Sequence, residues 1–186
     1  MESITRMLAI DPAIQYLLAI ALAAIFGASG AMKLADVEMF ESSVANYLLL
    51  PLWMEKPFAW TVPLAECACA AGLLSAATRA LAAMGLLLLL GMFSGAIAIN
   101  LLRGRTNIDC GCFGPALRQG LSARLLVRNV LLMIVAGLVE APAIARPLEW
   151  IDFVTIAMGA ATLVVLYASA NYAIGNAPRT RVLEMI

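Results

Sequence analysis

The sequence predicts an all-α, polytopic membrane helix bundle of four to five transmembrane helices plus a short interfacial helix. Two observations carry that expectation. First, 63% of the 186 residues are hydrophobic and only 13% are charged, with a mean hydropathy of +0.95, too little polar surface to coat a water-soluble globule. Second, the apolar residues form continuous runs rich in Leu and Ala, without the period-two alternation of a barrel strand. Crossing about 30 Å of hydrocarbon takes roughly 20 such residues in a helix. The chain is short enough to be one integral-membrane domain, residues 1–186, with no sizeable aqueous part.

The first run, about 13–35, follows Arg6 and ends in the small residues of "GASGA". It is longer than the apolar core of a secretory signal, so it reads as an uncleaved membrane helix. The segment "LADVEMFESSVANYLLLPLWMEKP" (34–57) places Phe40, Val44, Tyr47 and Leu48 at helical spacing, as in a helix lying at the membrane interface. Pro51 and Pro57 bracket Trp53 and Lys56, a mix suited to membrane entry. A second span is expected at about 57–78 and a third at about 80–102, with Arg79 in the tight turn between them. A thiol-bearing loop, 103–121, precedes a fourth helix at about 122–140, for which Ser122 is a plausible N-cap. The segment holding Pro142 and Pro147 separates it from a fifth, about 151–173, and the terminal "NAPRTRVLEMI" reads as a frayed tail.

Charge and composition exclude several function classes. Lys plus Arg and Asp plus Glu number 12 each, so no concentrated basic face is offered to a nucleic acid. Histidine is absent, which removes the commonest metal ligand and the usual neutral-pH proton shuttle. No metal is expected, since two loop cysteines without His leave a tetrahedral zinc site half built.

The chemistry-bearing stretch is "RGRTNIDCGCFGP", 103–115. Gly111 gives the backbone the freedom to bring Cys110 and Cys112 together, and a disulfide closed over one residue is strained and readily reduced, as suits a transient carrier. Arg103, Arg105, Arg118 and the N-terminus of the following helix favour a thiolate there, while Asp109 opposes it. The plainer alternative is an incidental pair of loop cysteines. Cys67 and Cys69 share the spacing but fall inside a helix, where positions two apart point about 200° from each other. They cannot bond without unwinding it, and read first as small packing residues, with a relay to the loop pair as the other reading. Glu66 beside them is an intramembrane carboxylate, a functional-site candidate by default; Lys33, Arg128 or a quinone hydroxyl are candidate partners. Asn100 and Asn129 suit interhelical hydrogen bonds, and Arg124 and Arg128, four apart, suit headgroup anchoring.

The combination of "GASGAMKLAD", "PLAE…GLL", "NLLRGRTNIDCGCFG" and "SARLLVRNVLL" resembles the methylamine utilisation protein MauE family, within the wider MauE/DoxX-like group of redox-associated membrane proteins. The resemblance covers nearly the whole chain, and the segment around Cys110, Gly111, Cys112, Phe113 and Gly114 is its specific part. It implies a bacterial cytoplasmic-membrane protein needed for maturation of methylamine dehydrogenase, a periplasmic quinoprotein whose beta subunit is rich in disulfides. It also implies a thioredoxin-like partner, MauD, with that beta subunit as client. Cys67 and Cys69 are not assigned by the family pattern. The function expected is thiol–disulfide exchange at Cys110 and Cys112, with a membrane quinone as a candidate electron acceptor and Glu66, Cys67, Cys69, Arg103, Arg105 and Asn129 as candidate supporting residues. The alternative is a non-catalytic membrane platform that docks the thioredoxin-like partner; a small-solute transporter has only Glu66 and Lys33 behind it.

Orientation sets two arguments against each other. With five spans, the side bearing the thiol loop carries Lys33, Lys56, Arg103, Arg105, Arg118, Arg124, Arg128, Arg179 and Arg181, against Arg6, Arg79 and Arg146 on the other. The positive-inside rule would put the loop in the cytoplasm, where disulfides are disfavoured. The resemblance implies a periplasmic loop, because the client is periplasmic, and that is the orientation expected here.

Overall fold

The computed structural model describes residues 10–106, 108 and 120–183. Six helices make up the fold among them: α1 Pro12–Ala35, α2 Val37–Tyr47, α3 Leu52–Leu73, α4 Arg79–Leu102, α5 Ala123–Glu140 and α6 Trp150–Leu183. α1, α4 and the Trp150–Ala173 part of α6 are long and apolar enough to cross a membrane. α3 and α5 pack alongside them but carry charges within their length, Glu55, Lys56 and Glu66 in one and Arg124, Arg128 and Glu140 in the other. α1 sits at the centre, against α3, α5 and α6, while α4 bridges α3 and α5.

Each boundary has a local cause. Asp11 caps α1 by accepting the Ala13 N–H at 2.8 Å, and Pro12 costs nothing in the first turn, where its missing N–H would have had no partner. Asp36 ends α1 and caps α2 by accepting from Met39 N. α2 stops at Leu48, which takes a left-handed conformation with φ 49°. Ser122 stands at the N-cap of α5, but without a side-chain bond to the helix.

Two details differ from the sequence expectation. The second long helix starts at Leu52, so Pro57 lies within it rather than at its mouth. Proline removes the bond to the carbonyl four residues back; here that residue is Trp53, which is exposed. Pro63 lies deeper in α3, buried against α1. The last helix continues to Leu183 instead of fraying after 173, since each residue added to a formed helix gains a further hydrogen bond.

The main core joins Leu22, Ile25 and Phe26 of α1 to Leu73 of α3, Leu86 and Leu90 of α4 and Leu132 and Val139 of α5. Two smaller clusters lie at the loop end. Phe40 and Val44 of α2 pack on Ala59 and Val62 of α3, and Ile97 and Leu125 hold Ile108 and Leu121. At the opposite end a short parallel bridge joins Ile10 to Ala143, so the start of α1 and the exit from α5 share one end of the bundle.

Candidate functional site

Cys110 and Cys112, with Asp109 and Arg118, lie outside the described residues; what the structure describes is how their loop is rooted. Leu121 N–H donates to the Ile108 carbonyl at 3.1 Å. Ile108 and Leu121 are both buried, on Ile97 of α4 and Leu125 of α5, with Tyr47 of α2 packed against them. An apolar plug therefore ties the two roots of the loop together. Arg105 reinforces this root: its Nη1 donates to the Tyr47 carbonyl and to Asn100 Oδ1, both at 3.4 Å. Asn100 in turn donates to Ala96 O in its own helix, so its described bonds brace the loop rather than join two long helices. Arg103 caps the end of α4 and is exposed.

Glu66 sits on the buried face of α3 and is 1% exposed. Lys33 Nζ of α1, itself 2% exposed, donates to its Oε1 at 2.5 Å, and Ser29 Oγ donates to its Oε2 at 3.3 Å. The Lys33 ammonium also lies over the rings of Phe40, at 5.1 Å, and Phe93, at 4.9 Å, where the ring quadrupoles attract a cation. Lys33, one of the partners the sequence suggested for Glu66, is in contact with it.

A second polar group stands beside the first. Arg128 donates to Asn129 Oδ1 and, at 2.9 Å, to Asn171 Oδ1 of α6, while Asn129 Nδ2 donates to Ser94 Oγ of α4 at 3.2 Å. Arg128 thus turns inward and links α5 to α6, instead of serving only as a headgroup anchor; Asn129 makes the interhelical bond expected of it. Ser29, Lys33, Glu66, Arg128, Asn129 and Tyr167 all line one small internal cavity of about 30 Å³. The structure so brings Glu66 and Asn129 to one place from different helices.

Cys67 and Cys69 are free thiols, and each sulfur seats against a different helix. A Cβ placed on Gly30 of α1 would fall 2.7 Å from Cys67 Sγ and 2.9 Å from the Pro63 carbonyl; one placed on Gly85 of α4 would fall 2.7 Å from Cys69 Sγ. The glycines are required there, since only a residue without a Cβ lets sulfur and backbone approach so closely. The two sulfurs serve opposite seams of α3.

The far end of the bundle holds polar contacts the sequence did not foresee. Arg146 donates to both Asp11 oxygens at 2.8 Å and to both Asp152 oxygens at 2.8 and 2.9 Å. The Arg146 guanidinium, then the Ala13 N–H, hold the Asp11 carboxyl below its ordinary value, and Asp152 and Asp11 raise that of Arg146. Arg79, expected in the tight turn before the third span, starts α4 and is buried: Nη1 donates to Gln15 Oε1, Nε to Leu73 O, and the guanidinium lies 4.1 Å from the Tyr16 ring centre. Gln15 Nε2 also donates to the Val139 and Ala141 carbonyls. A charged residue near an apolar run was the available signal, but its partners come from other parts of the chain.

Comparison with known proteins places this architecture. No solved structure matches the chain. Three curated proteins named methylamine utilization protein MauE are similar to it: that of Paracoccus versutus is 40% identical over 87% of each chain, and that of Paracoccus denitrificans is 38% identical over 87% of this chain and 88% of its own. That of Methylorubrum extorquens is 39% identical over 75% of this chain and 70% of its own. The family model described as methylamine utilisation protein MauE matches residues 11–141, from the N-cap of α1 through the internal polar cluster to the end of α5, and the chain belongs to that family.

Proposed function

We propose that this protein serves methylamine utilisation as a thiol–disulfide exchange component of the bacterial cytoplasmic membrane, supporting disulfide formation in the beta subunit of methylamine dehydrogenase. Cys110 and Cys112 carry the exchange with the thioredoxin-like MauD, from a loop facing the periplasm. A thiolate of the reduced partner attacks the Cys110–Cys112 disulfide and forms a mixed disulfide; the partner's second thiol resolves it. The partner leaves oxidised, ready for the client, and the loop keeps two electrons and two protons as a dithiol. The whole chain, residues 1–186, acts as one membrane domain.

The observation that supports this reading is the rooting of the loop. Eleven residues, 109–119, carry both thiols between two roots that are hydrogen-bonded to each other and plugged into the bundle. Cys67 and Cys69 lie in helix seams, and the exchange as written does not require them. Asn129, Glu66 and their neighbours hold the helices beneath.

The test is a single-cysteine trap in membranes that contain the partner. MauD lacking its resolving cysteine should accumulate a mixed disulfide with the wild-type chain and none with the Cys110→Ser/Cys112→Ser variant, and Cys110→Ser and Cys112→Ser should each leave the beta subunit with free thiols. Normal client disulfides in both variants would support the platform reading instead, in which the chain docks the partner without exchanging thiols.

A further inference from the structure

A cavity of about 330 Å³ lies between α2, the turn after it and the start of α3 on one side and α4 on the other. Phe40, Val44 and Tyr47 of α2, Phe58 of α3 and Gly91 and Gly95 of α4 are among the residues that shape it. We infer that this cavity binds the ring of an isoprenoid quinone, with the hydrocarbon tail leaving over the exposed α4 edge into the bilayer; as the electron acceptor for the loop thiols, this quinone rests on the function proposed above.

Three features select that ligand. The first is the smooth wall. Gly91 and Gly95 stand one helical turn apart, and a Cβ added to either meets no atom within 4 Å. A glycine inside a helix is less stable than alanine, and neither position needs it for the chain's own packing, so both keep the cavity wall flat for something else. A neighbouring helix is too thick to enter: its diameter with side chains is about 10–12 Å, and α2 with the start of α3 closes the side facing α4. A flat ring fits a cavity of this size, which lies within the usual range for small-ligand sites.

The second feature is the aromatic lining. Phe40, Tyr47, Phe58 and Phe93 contribute to it, and aromatic side chains favour offset or edge contacts with another ring, which a saturated acyl chain does not exploit. The third is polarity. Ser43 and Tyr47 bring hydroxyl-bearing side chains to an otherwise apolar lining, and a few placed polar groups are what orient a small ligand in an apolar pocket.

The place is also right for the proposed chemistry. Tyr47, which lines the cavity, packs on the Ile108 and Leu121 plug and receives the Arg105 bond at the root of the loop. When the Cys110 and Cys112 thiols close to a disulfide they release two electrons and two protons, and the quinone takes up both to become a quinol. This returns the loop to the oxidised form that accepts the partner's electrons.

The experiment uses the full-length protein in nanodiscs and decylubiquinone as the probe, with binding read from tryptophan quenching and electron transfer from quinone absorbance. Wild-type protein should bind saturably, and after reduction it should convert about one quinone per chain. Gly91→Leu and Gly95→Leu fill the cavity, and each should raise Kd at least about tenfold with helix content unchanged; should either fail to fold, Gly91→Ala and Gly95→Ala should raise it about threefold. The Cys110→Ser/Cys112→Ser double variant should still bind the probe but reduce none of it. Wild-type affinity in the filled variants, or displacement of the probe by an equal mole fraction of added phosphatidylcholine, overturns the inference. Cavity-dependent binding together with unchanged quinone reduction in the double serine variant would overturn the thiol reading and leave the binding site standing.

Discussion

Glu66 and Lys33 form a buried ion pair, and its energetics decide what substitution there does. A buried ion pair is weak evidence for stability, because both charges lost their hydration on burial, but breaking it strands the survivor. Glu66→Gln leaves Lys33 uncompensated between two phenylalanine rings, and should lower stability by roughly 3–5 kcal/mol. Thermal unfolding in detergent checks this, and the Lys33→Met/Glu66→Gln double variant should recover a large part of the loss. If Glu66→Gln instead folds normally, the pair is not a structural clamp and a role in proton movement gains ground. At the other end of the bundle, Asp11 titrates below the ordinary aspartate range because Arg146 and the Ala13 N–H stabilise its charged form. A carboxylate depressed in this way stabilises the fold above its unfolded value, and the contribution disappears as pH falls through the folded one. The melting-temperature advantage of wild type over Asp11→Asn should therefore hold from neutrality down to about 4 and vanish at still lower pH; an advantage independent of pH would remove the Asp11 charge from the argument.

Among the elements, α3 packs between α1 and α4. Its two cysteines seat against glycines of different helices, but the two contacts are not equivalent. At Gly85 the sole obstacle to a Cβ is the Cys69 sulfur, whereas at Gly30 the Pro63 carbonyl stands in the way as well as Cys67. Gly85→Ala should cost about 1–3 kcal/mol by overpacking, and adding Cys69→Ala should relieve it. Gly30→Ala should cost at least as much and be only partly relieved by Cys67→Ala, since a backbone carbonyl cannot be trimmed. Melting temperatures of the four variants test this, and equal rescue at both sites would contradict the picture. The sequence made the helical placement of these cysteines legible through the run around them. It did not show which glycine each sulfur would meet, because the register of α1 and α4 against α3 is settled by packing across the bundle.

For the molecule as a whole, the connections determine sidedness. Ile10 and Ala143 share one end, and the plugged roots at Ile108 and Leu121 stand at the end where α4 finishes and α5 starts. With Cys110 and Cys112 replaced by serine, single cysteines introduced at Thr106 and Ala143 should label from opposite sides of the membrane with an impermeant thiol reagent. Labelling of Thr106→Cys from outside intact cells would support the periplasmic loop; labelling only after membrane disruption would favour the positive-inside count. Both from the same side would break the bundle topology.

By itself the sequence determined that this is a helical membrane protein of the MauE family and where its helices run, because hydrophobic length and local capping residues act over neighbouring positions. It also marked Glu66 as an ionisable group needing a partner, since the cost of a charge in hydrocarbon is visible in one dimension. Only the tertiary structure decided that Lys33 meets it, that Arg128 turns inward to Asn129 and Asn171, that Arg79 is buried on Tyr16, and that Arg146 clamps Asp11 to Asp152. Arg128–Asn129 apart, these are contacts between residues separated by turns or whole helices, and a polar side chain in a membrane bundle turns toward whichever partner helix packing brings within hydrogen-bonding distance.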